Sequence, residues 1–294
     1  MILLLYTYCF KHVLYIIEQN VLEVSVGIYN RADGKYIKDL PDYIKFFPFI
    51  MRKRSDGAIY FKQKIDLTKT LKYCEENNVK LFHVFIASLL KLGVTRPVFN
   101  RFVVGKRVYQ RNHINVGFIA KVKLTEKSRE VNVKVDFDES DNIFDVATKV
   151  QKKVSVIKDG GDFKADDTID LLVRLPKFMT AFVFFVARGL DHFGLLTKKF
   201  IKDNPLFVSA YVTNVGSIGV DAPFHHMYEW GTISVFSSLG VIQKDFIIDE
   251  NDNPVVADVV NVTFTIDERI ADGVHMARGI SDFKNYMENP ELLE

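Results

Sequence analysis

The sequence predicts an α/β fold built on a large sheet of mixed or mostly antiparallel strands. Segments with strand patterns and segments with helix patterns interleave along the 294 residues, which argues against an all-helical or all-strand domain. The segment EVNVKVDF at 130–137 alternates apolar and polar residues, as a half-buried strand does. The tail after Gly273 instead repeats apolar residues at helical spacing. With 48% hydrophobic and 26% charged residues, the composition is that of a globular domain with a sizeable core.

The first half of the chain predicts a strand, two helices and three further strands. The segment GAIYFKQKID predicts the first strand, and Asp66 at its end is placed to cap the helix that follows. Residues 80–95 are apolar almost all round, so we expect a buried helix that ends at Arg96-Pro97. Residues 100–122 predict two strands joined by a glycine-containing turn, and 130–137 supplies the next strand.

The second half predicts a helix at 142–158, three long apolar strands and a final helix. The strands are expected within 206–214, 231–249 and 254–269, and the last two are joined by the hairpin turn ENDN. The helix that begins at Gly273 closes the chain. The residues predicted to face the core are Phe144, Val146, Ala147, Val150 and Val154 in the first of these helices, and Val274, Ala277, Ile280, Phe283 and Met287 in the last.

The first 29 residues are unusually apolar and are expected to form an extension before the domain proper, which we place at 30–294. Lys11 and His12 interrupt the apolar run, which therefore falls short of the roughly 20 residues that span a bilayer. The run also has no basic residues before it and no small-residue cleavage site, so a signal peptide is not predicted. A helix or strand added to the domain is the main interpretation, and a membrane anchor is the alternative.

Charge and cysteine content exclude several classes of partner. The net charge of +2 and the lack of a long basic block do not indicate nucleic-acid binding. The one dense basic cluster, Arg52-Lys53-Arg54, is expected to be a solvated turn. Cys9 and Cys74 form neither a disulfide framework nor a metal motif, which favours a reducing, cytoplasmic setting. We expect His83, inside the apolar helix, to be a core histidine.

The stretch DERIADG at 267–273 is the first candidate for chemistry. A strand is expected to end at Asp267, and Asp272-Gly273 marks a sharp turn into the last helix, so Glu268, Arg269 and Asp272 share a tight connection. Arg269 is spaced to pair with Asp272 and so to brace the turn. From these residues alone, an ion-paired helix start explains the stretch as well as a site does.

The same stretch resembles the signature of the chloramphenicol acetyltransferase and 2-oxo acid dehydrogenase acyltransferase superfamily, Asp-His-Arg-x-x-Asp-Gly. Asp267, Arg269, Asp272 and Gly273 match it, while Glu268 stands at the His position. A second stretch, YVTNVGSIG, resembles the family's Ser/Thr-Asn-x-Gly turn through Thr213, Asn214 and Gly216. The ending ENPELLE and the order of the strands and helices also resemble the family, over roughly residues 30–294.

The resemblance implies a two-layer sandwich of the chloramphenicol acetyltransferase type, with helices on one face of a mixed sheet. It further implies a homotrimer with sites between subunits, and coenzyme A or acyl-CoA as substrate without a covalently bound cofactor or a metal. The hydroxyl of Thr213 would stabilise the oxyanion, with Asn214 beside it, and Arg269, Asp272 and Gly273 would frame the turn. The chain departs from the family in three ways: it shows no lipoyl domain, it has a helical insertion near 160–205, and it lacks the His.

The insertion is the most apolar part of the chain. Its run from Phe178 to Ala187 is too short to span a membrane. We expect a pair of helices packed on the domain. The alternatives are a lid over an acyl pocket and a helix that lies on a membrane surface.

The missing His makes the identity of the general base the central question. Relative to His, an unperturbed Glu makes proton transfer from a thiol uphill by about four pKa units rather than two, or roughly 3 kcal/mol more. A dry site would raise the pKa of such a Glu and close that gap, so Glu268 is one candidate base. His225 and His226, on an aromatic loop, are predicted to lie near the site and are the second candidate, and His275 is a third.

Two functions follow from the sequence. The first is a coenzyme A-dependent acyltransferase that moves an acyl group between a thioester and an acceptor. The second is a catalytically degenerate relative that binds acyl-CoA or serves as a scaffold. The retained Thr213 and Asp272 favour the first function, and the absent His favours the second.

Overall fold

The computed structural model describes residues 31–121, 125, 128, 130–158, 174–249 and 251–294. The predicted extension at 1–29 and part of the predicted insertion near 160–205 lie outside the described residues. The boundary of the domain at residue 30 therefore stays a prediction.

The described strands form two sheets, and the larger one is mixed, as the sequence predicts. In chain order the strands are β1 (Gly34–Tyr36), β2 (Ala58–Asp66), β3 (Arg101–Val104), β4 (Arg107–Arg111), β5 (Ile114–Lys121), β6 (Glu130–Phe137), β7 (Ala210–Asn214), β8 (Val235–Ile248) and β9 (Pro254–Asp267). The six-stranded sheet has the order β2-β9-β8-β7-β5-β6. Only β5–β7 and β7–β8 pair in parallel, and the other neighbours are antiparallel.

The smaller sheet has the order β1-β4-β3 and is antiparallel throughout. The turn between β3 and β4 contains Gly105 and Lys106, both at positive φ (57° and 62°). Two central residues at positive φ are typical of the two-residue hairpin turn, whose twist matches that of the strands. The glycine-containing turn predicted here is confirmed.

Helices cover one face of the large sheet. The described helices are α1 (Asp42–Ile50), α2 (Thr68–Glu76), α3 (Leu81–Thr95), α4 (Ile143–Lys158), α5 (Lys177–His192), α6 (Lys198–Asp203) and α7 (Gly273–Glu288). Strand β9 faces the core with Val260, Val262, Phe264 and Ile266. The Phe283 ring of α7 lies edge-on between Phe264 at 4.9 Å and Phe85 of α3 at 5.9 Å. This joins the central strand to the two central helices.

The opposite face of the sheet, which we call the polar face, carries the alternate residues of β9. Asn261, Thr263 and Thr265 lie on this face, and each donates a hydrogen bond to the loop at 220–234. Their partners are Asp221 Oδ2 (3.0 Å), the Pro223 carbonyl (2.6 Å) and the His225 carbonyl (2.6 Å). Because the bonds recur at every second residue on both segments, the loop runs alongside β9 over this face.

Helix α3 confirms the buried apolar helix predicted from the sequence. It ends at Thr95, just before Arg96-Pro97, and His83 within it is 3% exposed. The His83 Nδ1 accepts a hydrogen bond from the Lys80 backbone N–H (3.1 Å), and burial lowers the pKa of the imidazole to about 4. His83 is therefore a neutral core residue, as predicted.

Three helix details differ from the sequence prediction. The buried stripe of α4 includes Ile143, whereas Phe144 is exposed because it lies about 100° further round the helix. Likewise α7 buries Met276 and Gly279, not Val274 and Ala277. Asp66 does accept a hydrogen bond from the Thr68 N–H of α2 (2.9 Å), but Leu67 occupies the cap position itself. In each case the periodicity predicts the helix and misplaces its face or start by one or two residues.

The helices α5 and α6 form the described part of the predicted insertion, and they pack on the domain. Asp191 near the end of α5 pairs with Arg31 (2.6 Å), and Phe184 packs edge-on against Trp230 (5.2 Å). Phe178, Phe182 and Phe185 remain exposed along the outer side of α5. Among the described residues, no single helix is long and apolar enough to cross a membrane; one sharply bent pair, α2 with α3, meets the criteria of length and composition together.

The contact between α7 and Phe99 gives a prediction about stability. A Cβ on Gly279 would lie 2.1 Å from the Phe99 ring, so Gly279→Ala is expected to lower the free energy of unfolding by about 1–3 kcal/mol through overpacking. Gly189→Ala in α5 is the matched control, because its Cβ would meet nothing within 4 Å, and it is expected to stabilise by up to about 1 kcal/mol. Urea unfolding of both variants measures the difference. Equal stability of the two would contradict the packing argument.

Candidate functional site

The stretch DERIADG has the local structure that the sequence predicts. Strand β9 ends at Asp267, a single turn of 3₁₀ helix covers Glu268–Ile270, and α7 begins at Gly273. The Glu268 N–H donates to the Gly57 carbonyl (2.7 Å), which extends the pairing of β9 with β2 by one bond. The backbone at Glu268 is thus fixed on both sides by the sheet and by the turn.

Asp267 is the centre of this turn, and its pairing corrects the brace predicted from the sequence. Arg269 does not pair with Asp272. Its Nε donates to Asp267 Oδ1 (2.7 Å) and its Nη2 donates to Asp267 Oδ2 (2.7 Å), while Nη1 donates to the Met51 carbonyl (3.2 Å). The tight turn at 268–270 folds Arg269 back over the strand end, where a fully buried carboxylate accepts a bidentate pair.

A second arginine, Arg54, reaches the same carboxylate, so the prediction of a solvated Arg52-Lys53-Arg54 turn is wrong for Arg54. Its Nε lies 3.8 Å from Asp267 Oδ2, and its side chain is only 4% exposed. It also donates to the carbonyls of Tyr228 (2.6 Å) and Gly231 (2.8 Å). A buried guanidinium needs such partners because its desolvation is costly. Arg52 and Lys53 do face solvent.

Asp272 caps the last helix. Its Oδ1 accepts the His275 N–H (2.9 Å), and its Oδ2 lies 2.9 Å from His275 Nδ1 and 3.2 Å from the Tyr43 hydroxyl. The backbone N–H of His275 is the main reason why the pKa of Asp272 lies below its ordinary value. Gly273 is not required by the backbone, since an added Cβ would meet nothing within 4 Å. These residues form a helix cap and not an ion-pair brace.

Glu268 lies at the surface of the turn with its carboxylate unengaged. It is partly buried, and among the described residues no cation or hydrogen-bond donor pairs with its side chain. The nearest cation in sequence, Arg269, is committed to Asp267. Glu268 is therefore free to contact a ligand or a second copy of the chain.

Thr213 and Asn214 end β7, and the register with Ser238 and Thr263 places Thr213 on the polar face. The Asn214 Oδ1 accepts from the Ser217 N–H (3.2 Å) and so caps the short 3₁₀ turn at Val215–Ile218. Gly216 is demanded by packing, because its Cβ would lie 2.1 Å from the Gly240 carbonyl oxygen. Asn214 and Gly216 thus shape the turn that presents Thr213, whose side chain is partly exposed.

Ser238 is a residue that the sequence did not single out. It lies directly beside Thr213 in the β7–β8 register and shares its face of the sheet. Its side chain is 1% exposed, and its hydroxyl has no hydrogen-bond partner among the described residues. A buried hydroxyl without a partner is unusual. Ser238 therefore places a second unpaired hydroxyl on the strand next to Thr213. The alternation within SVFSSLG offered no signal to prefer it.

One chain does not bring Thr213 and Glu268 together. Thr213 lies beside Ser238, Ser238 pairs with Thr263, and Glu268 follows Thr263 by five positions. At about 3.3 Å per residue, Glu268 lies roughly 16 Å further along the strand direction than Thr213. It is also displaced sideways by the two spacings, of about 4.8 Å each, from β7 to β8 and from β8 to β9. A single active centre that uses both residues therefore has to be completed from another copy.

His225 and His226 lie on the loop over the polar face. The His225 ring stacks on Phe236 with centroids 3.9 Å apart, and its carbonyl is bonded to Thr265. Its Nδ1 lies 2.7 Å from the His226 carbonyl, which only accepts, so Nδ1 carries the proton and Nε2 keeps its lone pair. Burial lowers the pKa of His225, which is thus neutral at pH 7. His226 is exposed.

Thiol and metal-ion chemistry find no support in the described part of the chain. Burial raises the pKa of the Cys74 thiol to about 11, which disfavours the thiolate. The described residues contain no group of three His, Cys, Asp or Glu side chains placed to hold a metal ion.

Known proteins resemble this chain both in part of its sequence and in its fold. Residues 208–294 match the family model described as 2-oxoacid dehydrogenases acyltransferase (catalytic domain). A search of curated proteins gives no match. The solved structures that share the fold include three at 11–14% sequence identity. The first is a probable dihydrolipoamide acetyltransferase from Listeria monocytogenes, with 14% identity, a TM-score of 0.54, and an alignment over 86% of this chain and 94% of that chain. The second is a chloramphenicol acetyltransferase, with 11% identity, a TM-score of 0.55, and an alignment over 86% of this chain and 99% of that chain. The third is a truncated catalytic core of the 2-oxoacid dehydrogenase multienzyme complex from Thermoplasma acidophilum, with 14% identity, a TM-score of 0.53, and an alignment over 87% of this chain and 99% of that chain.

The matched segment contains both stretches singled out in the sequence, from β7 through α7. The resemblance and the fold class are confirmed: the chain has the chloramphenicol acetyltransferase-like sandwich, and residues 208–294 match an acyltransferase catalytic domain of the 2-oxoacid dehydrogenase type.

The buried pairing at Asp267 predicts a large loss of stability on its removal. Asp267→Asn keeps the shape but leaves Arg54 and Arg269 without their anion, so the free energy of unfolding is expected to fall by about 3–5 kcal/mol. Asp245→Asn is the matched control, since its pair with Lys64 is solvent-exposed and is expected to contribute under about 1 kcal/mol. Urea unfolding at pH 7 separates the two. A cost at Asp267 no larger than that at Asp245 would show that the pairing is not structural.

The cap at Asp272 predicts a pH-dependent contribution. Because the folded-state pKa is depressed, the stabilisation is complete above the ordinary Asp value, near pH 4, and is lost as the pH falls through the lower folded value. Asp272→Ala is therefore expected to cost roughly 1 kcal/mol at pH 7, and the difference from the wild type should shrink below about pH 4. Unfolding titrations at several pH values measure this. A gap that widens in acid would reverse the assignment.

Proposed function

We propose that this chain, whose matched segment is an acyltransferase catalytic domain, is a coenzyme A-dependent acyltransferase that works as a homotrimer in the cytoplasm. The observation that carries the proposal is the placement of Thr213 and Glu268. Each stands free at the end of a rigid strand, in a segment that matches the catalytic domain, and the two are too far apart within one chain to act together.

In the proposed reaction, Glu268 accepts the proton of an attacking thiol or hydroxyl. The sulfur or oxygen then adds to the carbonyl carbon of an acyl thioester, and the carbonyl oxygen becomes an oxyanion that the Thr213 hydroxyl stabilises. Collapse of this intermediate breaks the C–S bond, re-forms the carbonyl and releases coenzyme A, whose sulfur regains the proton. A single well-placed oxyanion donor contributes about 2.7–4 kcal/mol.

In the proposed trimer, neighbouring subunits bring together Thr213 and Glu268, which lie far apart within one chain. Thr213 of one subunit and Glu268 of its neighbour would line the same intersubunit channel, one at each side of the reacting carbonyl. Closed symmetric rings form when one surface patch meets a different patch of the next copy, so three equivalent sites follow from a single kind of contact. Asn214 would support this site by holding the Thr213 turn.

Enclosure by a neighbouring subunit also bears on the strength of the base. A carboxylate is a weaker base than imidazole in water, and removal from water strengthens it. In this chain the cation next to Glu268 in sequence, Arg269, points to Asp267 at 2.7 Å and not to Glu268.

A second candidate function is binding without turnover. The observation that favours it is that the Glu268 carboxylate has no partner to orient it among the described residues, whereas a general base is usually held by a second group. In this alternative the same trimer holds an acyl-CoA or serves as a scaffold. The predicted lid or membrane-surface role of the 160–205 region remains an additional hypothesis.

Thiol release from a panel of acyl-CoAs tests the two functions. The wild type is expected to turn over at least one acyl-CoA, and Thr213→Ala and Glu268→Gln are each expected to lower kcat about 100-fold or more. Glu268→His should retain or raise activity. Unchanged activity in Glu268→Gln would remove Glu268 as base and point to His225, whose Nε2 is unprotonated. Coenzyme A binding without any turnover would support the second function.

Mixed trimers provide the control for the intersubunit site. When Thr213→Ala and Glu268→Gln subunits are refolded together, each intact site needs one subunit of each kind in a fixed order, so about a quarter of the wild-type activity should return. Each variant refolded alone should stay inactive. A monomer in solution scattering, or no recovery on mixing, would contradict a site shared between subunits.

A further inference from the structure

A cleft of about 460 Å³ lies behind the DERIADG turn, on the side of Arg269. Its walls include four segments: the 52–54 turn, the β3–β4 turn at Gly105 and Lys106, the end of α5 at Arg188, and the loop at 229–231. Val103, Val104 and Trp230 add apolar surface. The β3–β4 turn lies close to α5, since a Cβ on Gly105 would be 2.6 Å from the His192 carbonyl oxygen. The β3–β4 turn and the end of α5 are thus in direct contact at the cleft.

The acids in this cleft are already satisfied. Asp191 binds Arg31 through Nη1 (2.6 Å), and Glu229 accepts the backbone N–H groups of Arg54 (3.1 Å) and Ser55 (3.2 Å). The buried arginines are satisfied as well, because Arg54 and Arg269 share Asp267. The floor of the cleft is therefore close to neutral.

The rim is not neutral. Arg52, Lys53 and Arg188 are exposed, and no acid pairs with their side chains among the described residues. Lys106 lies over the Phe49 ring at 4.9 Å, and no acid in the described part of the chain pairs with its ammonium group. Lys and Arg side chains offer donors and no acceptors, so this rim selects an anion.

A second cavity of about 430 Å³ continues the first past Lys106. The two share Gly105, Lys106 and His192, and the second is also lined by Arg107 and by Lys45, which pairs with Asp42 (3.4 Å). The two cavities therefore form one connected groove, with Lys106 where they meet and Arg52, Lys53 and Arg188 around the first cavity. Such spacing suits a ligand with more than one phosphate, because separated cations each contact a different group.

We propose that this basic groove binds the phosphates of a nucleotide-type ligand. The apolar wall at Val103, Val104 and Trp230 accommodates the base or a non-polar arm, and the Arg52, Lys53, Lys106 and Arg188 side chains hold the phosphates. That this ligand is the coenzyme A of the reaction rests on the proposed function. A free nucleotide with the same phosphate chemistry is the other source.

Calorimetric titration of the full-length protein tests the groove with three probes. They are coenzyme A, adenosine 3′,5′-bisphosphate, which lacks the pantetheine arm, and pantetheine, which lacks the phosphates. The double variant Arg52→Ala/Lys53→Ala and the single variant Arg188→Ala remove exposed side chains without structural partners. The matched control is Lys69→Ala/Lys72→Ala on α2, whose residues line neither cavity. Circular dichroism verifies folding of every variant.

The bisphosphate is expected to bind the wild type, and its Kd should rise about tenfold in Arg52→Ala/Lys53→Ala and less than twofold in the control, with weaker binding at high salt. Equal weakening of coenzyme A would identify it as the source of the phosphates, whereas bisphosphate binding that coenzyme A does not displace would identify a separate nucleotide. No binding of either phosphate compound, or equal Kd values in all variants, would overturn the proposal.

The same titrations separate this proposal from the proposed function. Turnover of acyl-CoA with coenzyme A affinity unchanged in Arg52→Ala/Lys53→Ala would leave the acyltransferase standing and remove the groove as its phosphate site. Groove-dependent binding of the bisphosphate in a protein that turns over no acyl-CoA would leave the anion site standing and remove the enzyme.

Discussion

The buried carboxylate of Asp267 is the interaction on which the rest of the site depends. It is the last residue of β9, it pairs with Arg269, which folds back over the strand end, and it pairs with Arg54 of the 52–54 turn. Through Arg54 it also ties the loop at 228–231 to the strand end. One charge therefore fixes the backbone on either side of Glu268. Its removal would leave two guanidinium groups buried without an anion, a large cost in a low-dielectric interior.

The polar face of the sheet carries Thr213 and Ser238, and the strand register sets their positions relative to Glu268. Strand β9 packs Val260, Val262, Phe264 and Ile266 against the helices, and this core sets the register of the strands beside it. The same register holds Thr213 beside Ser238 on the opposite face and keeps both well away from Glu268. In the proposed function, a second copy of the chain therefore completes any site that uses both Thr213 and Glu268. The basic groove lies next to this site, and Arg54 and Arg269 of the Asp267 pairing form part of its floor.

The sequence predicted much of the fold because hydrophobic periodicity is a local property. The strands around 58–66, 130–137 and 254–267, the buried helix at 81–95 and the helix from Gly273 all follow from spacing and end signals. The helix faces at Phe144 and Val274 were misjudged, because a stripe one residue out of phase differs little in sequence and is selected by the packing partner. The pairing of Arg269 was misjudged for the same reason: three-residue spacing permits a bond to Asp272, but Asp267 is the buried acceptor.

The sequence by itself determined the order of the elements, the two stretches around Thr213 and Glu268, and the replacement of the expected His, because these are properties of consecutive residues. Only the tertiary structure decided which charges are buried and which are free. It made Arg54 a partner of Asp267 and not a surface residue, and it left the buried Ser238 hydroxyl without a partner among the described residues. It also placed Arg52, Lys53, Lys106 and Arg188 around one groove. These residues are far apart in the chain, and long-range packing, which no local pattern encodes, brings them together.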